Sequence, residues 1–120
     1  MINPIRMTAA FAYAAQAHAD QVRKSTTIPY LSHLMAVSAL VMEHGGDDDQ
    51  AIAGLLHDLI EDCGIHHELV IREQFGERVM RIVRGCTDTD ISPRPPWRTR
   101  KEAYLAHLLT ADEEIGRAHV

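Results

Sequence analysis

Residues 54–64 read GLLHDLIEDCG, and this stretch decides how the chain is understood. Leu55, Leu56, Leu59 and Ile60 give it the spacing of a buried helical face. Yet His57, Asp58, Glu61 and Asp62 sit among them. At 100° per residue these four fall within an arc of about 140°. One flank of that arc runs into the apolar stripe Ile52, Leu55, Leu56, Leu59 and Cys63, so the polar patch borders the core. Buried carboxylates without a partner cost several kcal/mol each and take up protons instead. A divalent cation removes that cost, because it binds deprotonated ligands. Adjacent His57 and Asp58 cannot close a metal site alone and need a ligand from another helix. His33, in PYLSHLMAV, shares a face with Val37, Leu40 and Val41 and points inward. It reads either as a core histidine bonded to a carbonyl or as the third ligand, and the nearby HD pair favours the ligand. Gly54 reads either as a tolerated helical glycine or as a point of close helix approach. The i,i+4 pair His57 and Glu61 has zincin spacing, but the second histidine is absent and Asp58 replaces the glutamate, which argues against a metalloprotease.

Working outward, Asn3-Pro4 gives an N-cap and a proline at the first helical position. The first helix is predicted to run to about Val22, with Phe11, Ala15, His18 and Val22 on one stripe. RKSTTIP (23–29) is a loop. The second helix spans about Tyr30 to His44 and stops at Gly45-Gly46. Asp47, Asp48 and Asp49 supply a cap and an acidic first turn for a third helix, expected to continue to about Asp62 and Gly64. Further helices are expected at about 67–75, 77–84 and from 98 or 99 to 110, with a proline-rich loop at 87–97. The fold class expected is all-α: a bundle of about six helices in a single domain, residues 1–120.

Composition narrows the function. The 120 residues are 46% hydrophobic, enough for one core. No run approaches the roughly 18 apolar residues of a membrane span, and the N-terminus lacks the apolar stretch of a secretory signal. Cys63 and Cys86 form no CxxC pair, as in a reduced cytoplasmic protein. A net charge of −5 argues against general DNA or RNA binding. Charge is also segregated: residues 43–77 hold ten acidic residues and one Arg, while 78–101 hold seven basic residues and two Asp. Solvated helix faces explain this, as does an acidic metal centre beside a basic wall for an anionic substrate.

His33 and His57-Asp58 resemble the ligands of HD-domain metal-dependent phosphohydrolases. The surrounding segments extend the likeness. AHADQVRKSTTIPYLSH (17–33), AGLLHDLIEDC (53–63), FGERVMRIVRGCTD (75–88) and RTRKEAYLAHL (98–108) follow the order and spacing of the hydrolase domain of RelA/SpoT-type alarmone enzymes. They look most like the small stand-alone members. The resemblance implies that His33, His57 and Asp58 ligate a divalent metal, usually Mn²⁺, with Fe²⁺ or Zn²⁺ also suited to such ligands. It implies that Glu61 and Asp62 position and deprotonate the attacking water. It implies that Arg23, Lys24 and Ser25 hold the nucleotide, although a solvated turn is the bland alternative. Tyr30 and His18 match positions read as structural. Arg100 and Lys101 read as phosphate contacts or as a solvent-exposed helix start.

The implied activity is hydrolysis of the 3′-pyrophosphate of guanosine tetra- or pentaphosphate, or of a related nucleotide, in the stringent response. The family completes its metal site with an Asp on a later helix, in an A-D-K-x-x-N-like motif. The chain ends at GRAHV before such a motif, and Ala111-Asp112 comes about one helix too early. The ending reads as a truncated product lacking the family's last helices. Three expectations follow: a loosened metal site, a homo-oligomer that hides apolar surface, and, as an alternative to the enzyme, a catalytically impaired module that binds nucleotide or a partner protein.

Overall fold

The computed structural model describes residues 2–86, whose regular elements are all α-helices. The elements are α1 (Pro4–Ala17), α2 (Tyr30–Glu43), α3 (Asp48–Leu56), α4 (Leu59–Cys63), α5 (His67–Phe75) and α6 (Glu77–Cys86). The expected all-α class is what the chain adopts. The sixth expected helix, the proline-rich loop, Arg100, Lys101 and Asp112 lie outside the described residues.

Local chemistry accounts for most boundaries. The Asn3 side chain accepts from the amides of Ile5 and Arg6 and starts α1, with Pro4 needing no donor there. Asp47 and Gln50 form a reciprocal capping box at the start of α3. Gly64 (φ 120°) and Gly76 (φ 104°) end α4 and α5 in backbone conformations that side-chain-bearing residues rarely adopt.

Two boundaries differ from expectation. α1 stops at Ala17 rather than near Val22. The His18 amide still bonds the Ala14 carbonyl, but Gln21 then offers its own carbonyl to the Tyr30 amide at 2.9 Å. The chain has turned away to close a loop, and Val22 bridges Pro29 in an isolated antiparallel pair. The buried face of α1 is accordingly Ala10 and Ala14; Phe11 and Val22 are exposed. The second difference is a break in the expected third helix at His57 and Asp58. Asp58 sits at φ −96°, ψ 0°, in the sparsely populated bridge region. The His57 ring lies 2.7 Å from the Gly54 carbonyl, the group an unbroken helix would offer to the amide of residue 58.

The core is one cluster built around α3. Leu34, Ile52, Leu56, Leu59, Ile71, Met80 and Ile82 are fully buried, each contributing roughly 1.5–3 kcal/mol. α2 packs closely on α3, and Gly54 is the reason. A Cβ there would meet the Ser38 Cα at 3.1 Å and the Ser38 amide nitrogen at 3.3 Å. The Ser38 hydroxyl donates to the Ala51 carbonyl across the same contact at 2.8 Å. Gly54 is therefore a point of close approach. At the opposite end of α3, Arg6 and Arg78 clamp the acidic first turn, at 2.7 Å to Asp48 and 2.6 Å to Asp47.

Candidate metal centre

The contact at Gly54 fixes the register of α2 against α3, and that register brings His33 beside the helix break. His33, His57 and Asp58 are all buried. Each offers a ligand atom within 4.8 Å of the others. The His57 Nε2 lies 3.2 Å from Asp58 Oδ2, and the His33 Nε2 lies 3.6 Å from the same oxygen. The two rings meet edge to face at 5.5 Å.

The chemistry of the donors fits a cation. A carbonyl only accepts, so the contact with Gly54 places the proton of neutral His57 on Nδ1. Its Nε2 then carries a lone pair aimed at a carboxylate oxygen. Two electron-rich atoms facing each other in a buried space are stabilised by a positive charge between them. Holding one ring nitrogen on a carbonyl is also how proteins orient a metal-binding imidazole. The three residues grouped by the sequence reading lie together in space: His33 comes from α2, and His57 and Asp58 come from the break between α3 and α4.

Tyr30 is the residue that sequence reading undervalued. Its hydroxyl donates to Asp58 Oδ2, the oxygen both histidines face. Burial and then the Asp58 carboxylate push its pKa well above the ordinary 10.0, so it stays a neutral donor. The available signal was its i,i+3 spacing from His33 on α2.

Glu61 and Asp62 lie on the exposed side of α4, just beyond the buried pair. Asp62 accepts a hydrogen bond from the Gln21 amide group at 3.1 Å. The break at 57–58 thus divides the four polar residues into a buried half and a solvent-facing half. Arg23 is half-buried at the base of the 23–28 loop, with Lys24 and Ser25 exposed at its tip. Ser25 has φ 63°, an uncommon left-handed conformation for a residue with a side chain. The feet of this loop are Gln21 and Tyr30, whose side chains reach Asp62 and Asp58.

The HD domain family matches residues 10–110. The chain belongs to the HD-domain family. This HD domain is 44% identical over 78 residues, 65% of its length, to the probable guanosine-3′,5′-bis(diphosphate) 3′-pyrophosphohydrolase of Synechocystis sp.. It is 34% identical over 103 residues, 86% of its length, to the bifunctional (p)ppGpp synthase/hydrolase SpoT of Escherichia coli. A probable GTP pyrophosphokinase of Mycobacterium leprae is 42% identical over 81 residues, 68% of the chain. The aligned part is 10%, 14% and 10% of those three proteins, respectively, so the chain spans a small fraction of the length of each. The RelA/SpoT-type resemblance read from the motifs is borne out by these relatives. Among the described residues, no helix of this HD domain is long and apolar enough to cross a membrane.

Proposed function

We propose that the chain is a metal-dependent phosphohydrolase that removes the 3′-pyrophosphate of guanosine tetra- or pentaphosphate. The observation that carries this reading is the convergence of two imidazoles on Asp58 in a buried space. The names of relatives such as the Synechocystis protein supply the substrate class.

His33, His57 and Asp58 hold the ion, and Mn²⁺ is the ion we propose. A divalent cation there supplies Lewis-acid polarisation of a phosphoryl oxygen and eases deprotonation of a water. Glu61 and Asp62, facing solvent one turn beyond the buried pair, orient that water and take its proton. The water oxygen adds to the phosphorus bonded to the ribose 3′ oxygen, and that P–O bond breaks. The nucleoside 3′ oxygen takes up a proton and the other product is pyrophosphate. Arg23 and Lys24 offset phosphate charge, and Ser25 adds a hydroxyl contact. The loop stands on Gln21 and Tyr30, residues already bonded to the site, which supports its use as the nucleotide-holding element.

The test is release of GDP and pyrophosphate from guanosine tetraphosphate by the purified chain with added Mn²⁺. The expected result is turnover that EDTA stops and that His57→Ala abolishes. Turnover undiminished in His57→Ala would overturn the assignment. A second reading is favoured by the M. leprae relative, which is named for synthesis. In that reading the domain binds the nucleotide without cleaving it, giving a measurable Kd with no pyrophosphate release.

A further inference from the structure

A polar chain runs behind both halves of the site and starts from one buried side chain. His18, the residue closing α1, is 3% exposed. Its Nδ1 lies 2.7 Å from the Gln21 side-chain oxygen. The Gln21 amide nitrogen donates to Asp62 Oδ2. A carboxylate only accepts, so the amide orientation is fixed, and His18 must donate from Nδ1 to the remaining oxygen. The His18 ring also stacks on Tyr30, with centroids 5.2 Å apart and planes at 28°. Tyr30 in turn donates to Asp58. An imidazole at the end of α1 therefore supports one residue that holds the buried carboxylate and another that holds the exposed one. The Gln21–Asp62 bond borders an open surface depression also lined by Cys63 and His67.

We propose that Tyr30 and Gln21 are positioning residues supported by His18: Tyr30 orients Asp58 toward the metal, and Gln21 orients Asp62 toward the attacking water. The Gln21 half rests on the phosphohydrolase reading, whereas the Tyr30 half needs only metal binding. Removing a hydrogen-bond partner of a metal ligand typically weakens metal affinity or activity 10–100-fold.

The test uses the 120-residue chain with Tyr30→Phe and Gln21→Met, which keep the shape of each side chain and delete the hydrogen bond. The Mn²⁺ Kd is measured by calorimetric titration. kcat and KM for guanosine tetraphosphate are measured at saturating Mn²⁺, with helix content and Tm as controls. Tyr30→Phe should raise the Mn²⁺ Kd about tenfold. Gln21→Met should leave that Kd within about twofold while lowering kcat about tenfold at nearly constant KM, the pattern of an interaction made in the transition state. An unchanged Mn²⁺ Kd in folded Tyr30→Phe, or an unchanged kcat in folded Gln21→Met, would overturn the proposal. Equal loss of both quantities in both variants would overturn it too, since that is general loosening. If the wild-type chain releases no pyrophosphate, the hydrolase reading falls, and the Mn²⁺ affinity of Tyr30→Phe alone decides the proposal.

Discussion

The two ends of α3 both gather carboxylates, and they manage them in opposite ways. At the N-terminal end Asp47, Asp48 and Asp49 are only partly covered. Arg6 and Arg78 meet them at 2.6–2.9 Å, and the helix dipole favours negative charge there. Burial pushes the Asp47 pKa up, but hydrogen bonds from Arg78 and the Gln50 amide outweigh it and hold the value below the ordinary 3.8. At the C-terminal end Asp58 is buried and faces imidazoles. Guanidinium groups are permanently charged and make a finished ion pair. Neutral imidazoles donate lone pairs and suit coordination of a divalent cation. One end of the helix is a fastening, and the other is, in the proposed reading, a receptor.

The largest expected effect breaks the receptor end alone. His57→Ala should lower Mn²⁺ affinity and pyrophosphate release by at least about a hundredfold, since a direct ligand matters more than the 10–100-fold typical of its outer partners. Calorimetric titration and a pyrophosphate assay read both. Next in size is metal removal. An ion present at a hundred times its Kd stabilises the fold by about 2.7 kcal/mol, or roughly 10 °C in Tm for a domain of this size. A thermal melt with and without EDTA should show that shift in the wild type and lose it in His57→Ala.

Gly54 lies between the two ends and sharpens the contrast. Gly54→Ala gains about 1 kcal/mol of helix propensity. Its Cβ would press on the Ser38 backbone, which cannot swing aside, and such overpacking costs about 1–3 kcal/mol. The net expectation is a loss of about 1 kcal/mol in chemical denaturation, together with weaker Mn²⁺ binding. The smallest effect belongs to the fastening end. Arg78→Met should cost about 1 kcal/mol or less, as partly exposed ion pairs do, and leave Mn²⁺ affinity unchanged. The same pairs have a pH signature. The folded-state pKa of Asp47 is depressed, so its contribution is complete above the ordinary 3.8 and is lost as pH falls through the folded value. Wild type and Arg78→Met should therefore converge in stability below that range.

Much of this was legible in the residues. The caps at Asn3 and Asp47, the Gly45-Gly46 stop and the apolar stripe Ile52–Leu55–Leu56–Leu59 announce their helices through local chemistry. The grouping of His33 with His57 and Asp58 was legible because an HD pair cannot close a metal site alone, which directs attention to an inward-facing histidine on another helix. What escaped depended on side chains acting against their own backbone or across the fold. Periodicity carries His57 through as an ordinary helical residue. It gives no sign that the ring will approach the Gly54 carbonyl or that the helix will break there. The early end of α1 escaped for a similar reason, because Gln21 is committed to Tyr30 and Asp62 rather than to another helical turn. The role of Tyr30 follows only from the geometry that both events create.

The missing side chain at position 54 has a thermodynamic consequence. Two helical backbones in near contact leave little slack between His33 on one side and the turn that carries His57 and Asp58 on the other. Under the proposed ligand assignment, capture of an ion would have little disorder to freeze out, and affinity would be governed mainly by the exchange of hydration water for nitrogen and oxygen donors.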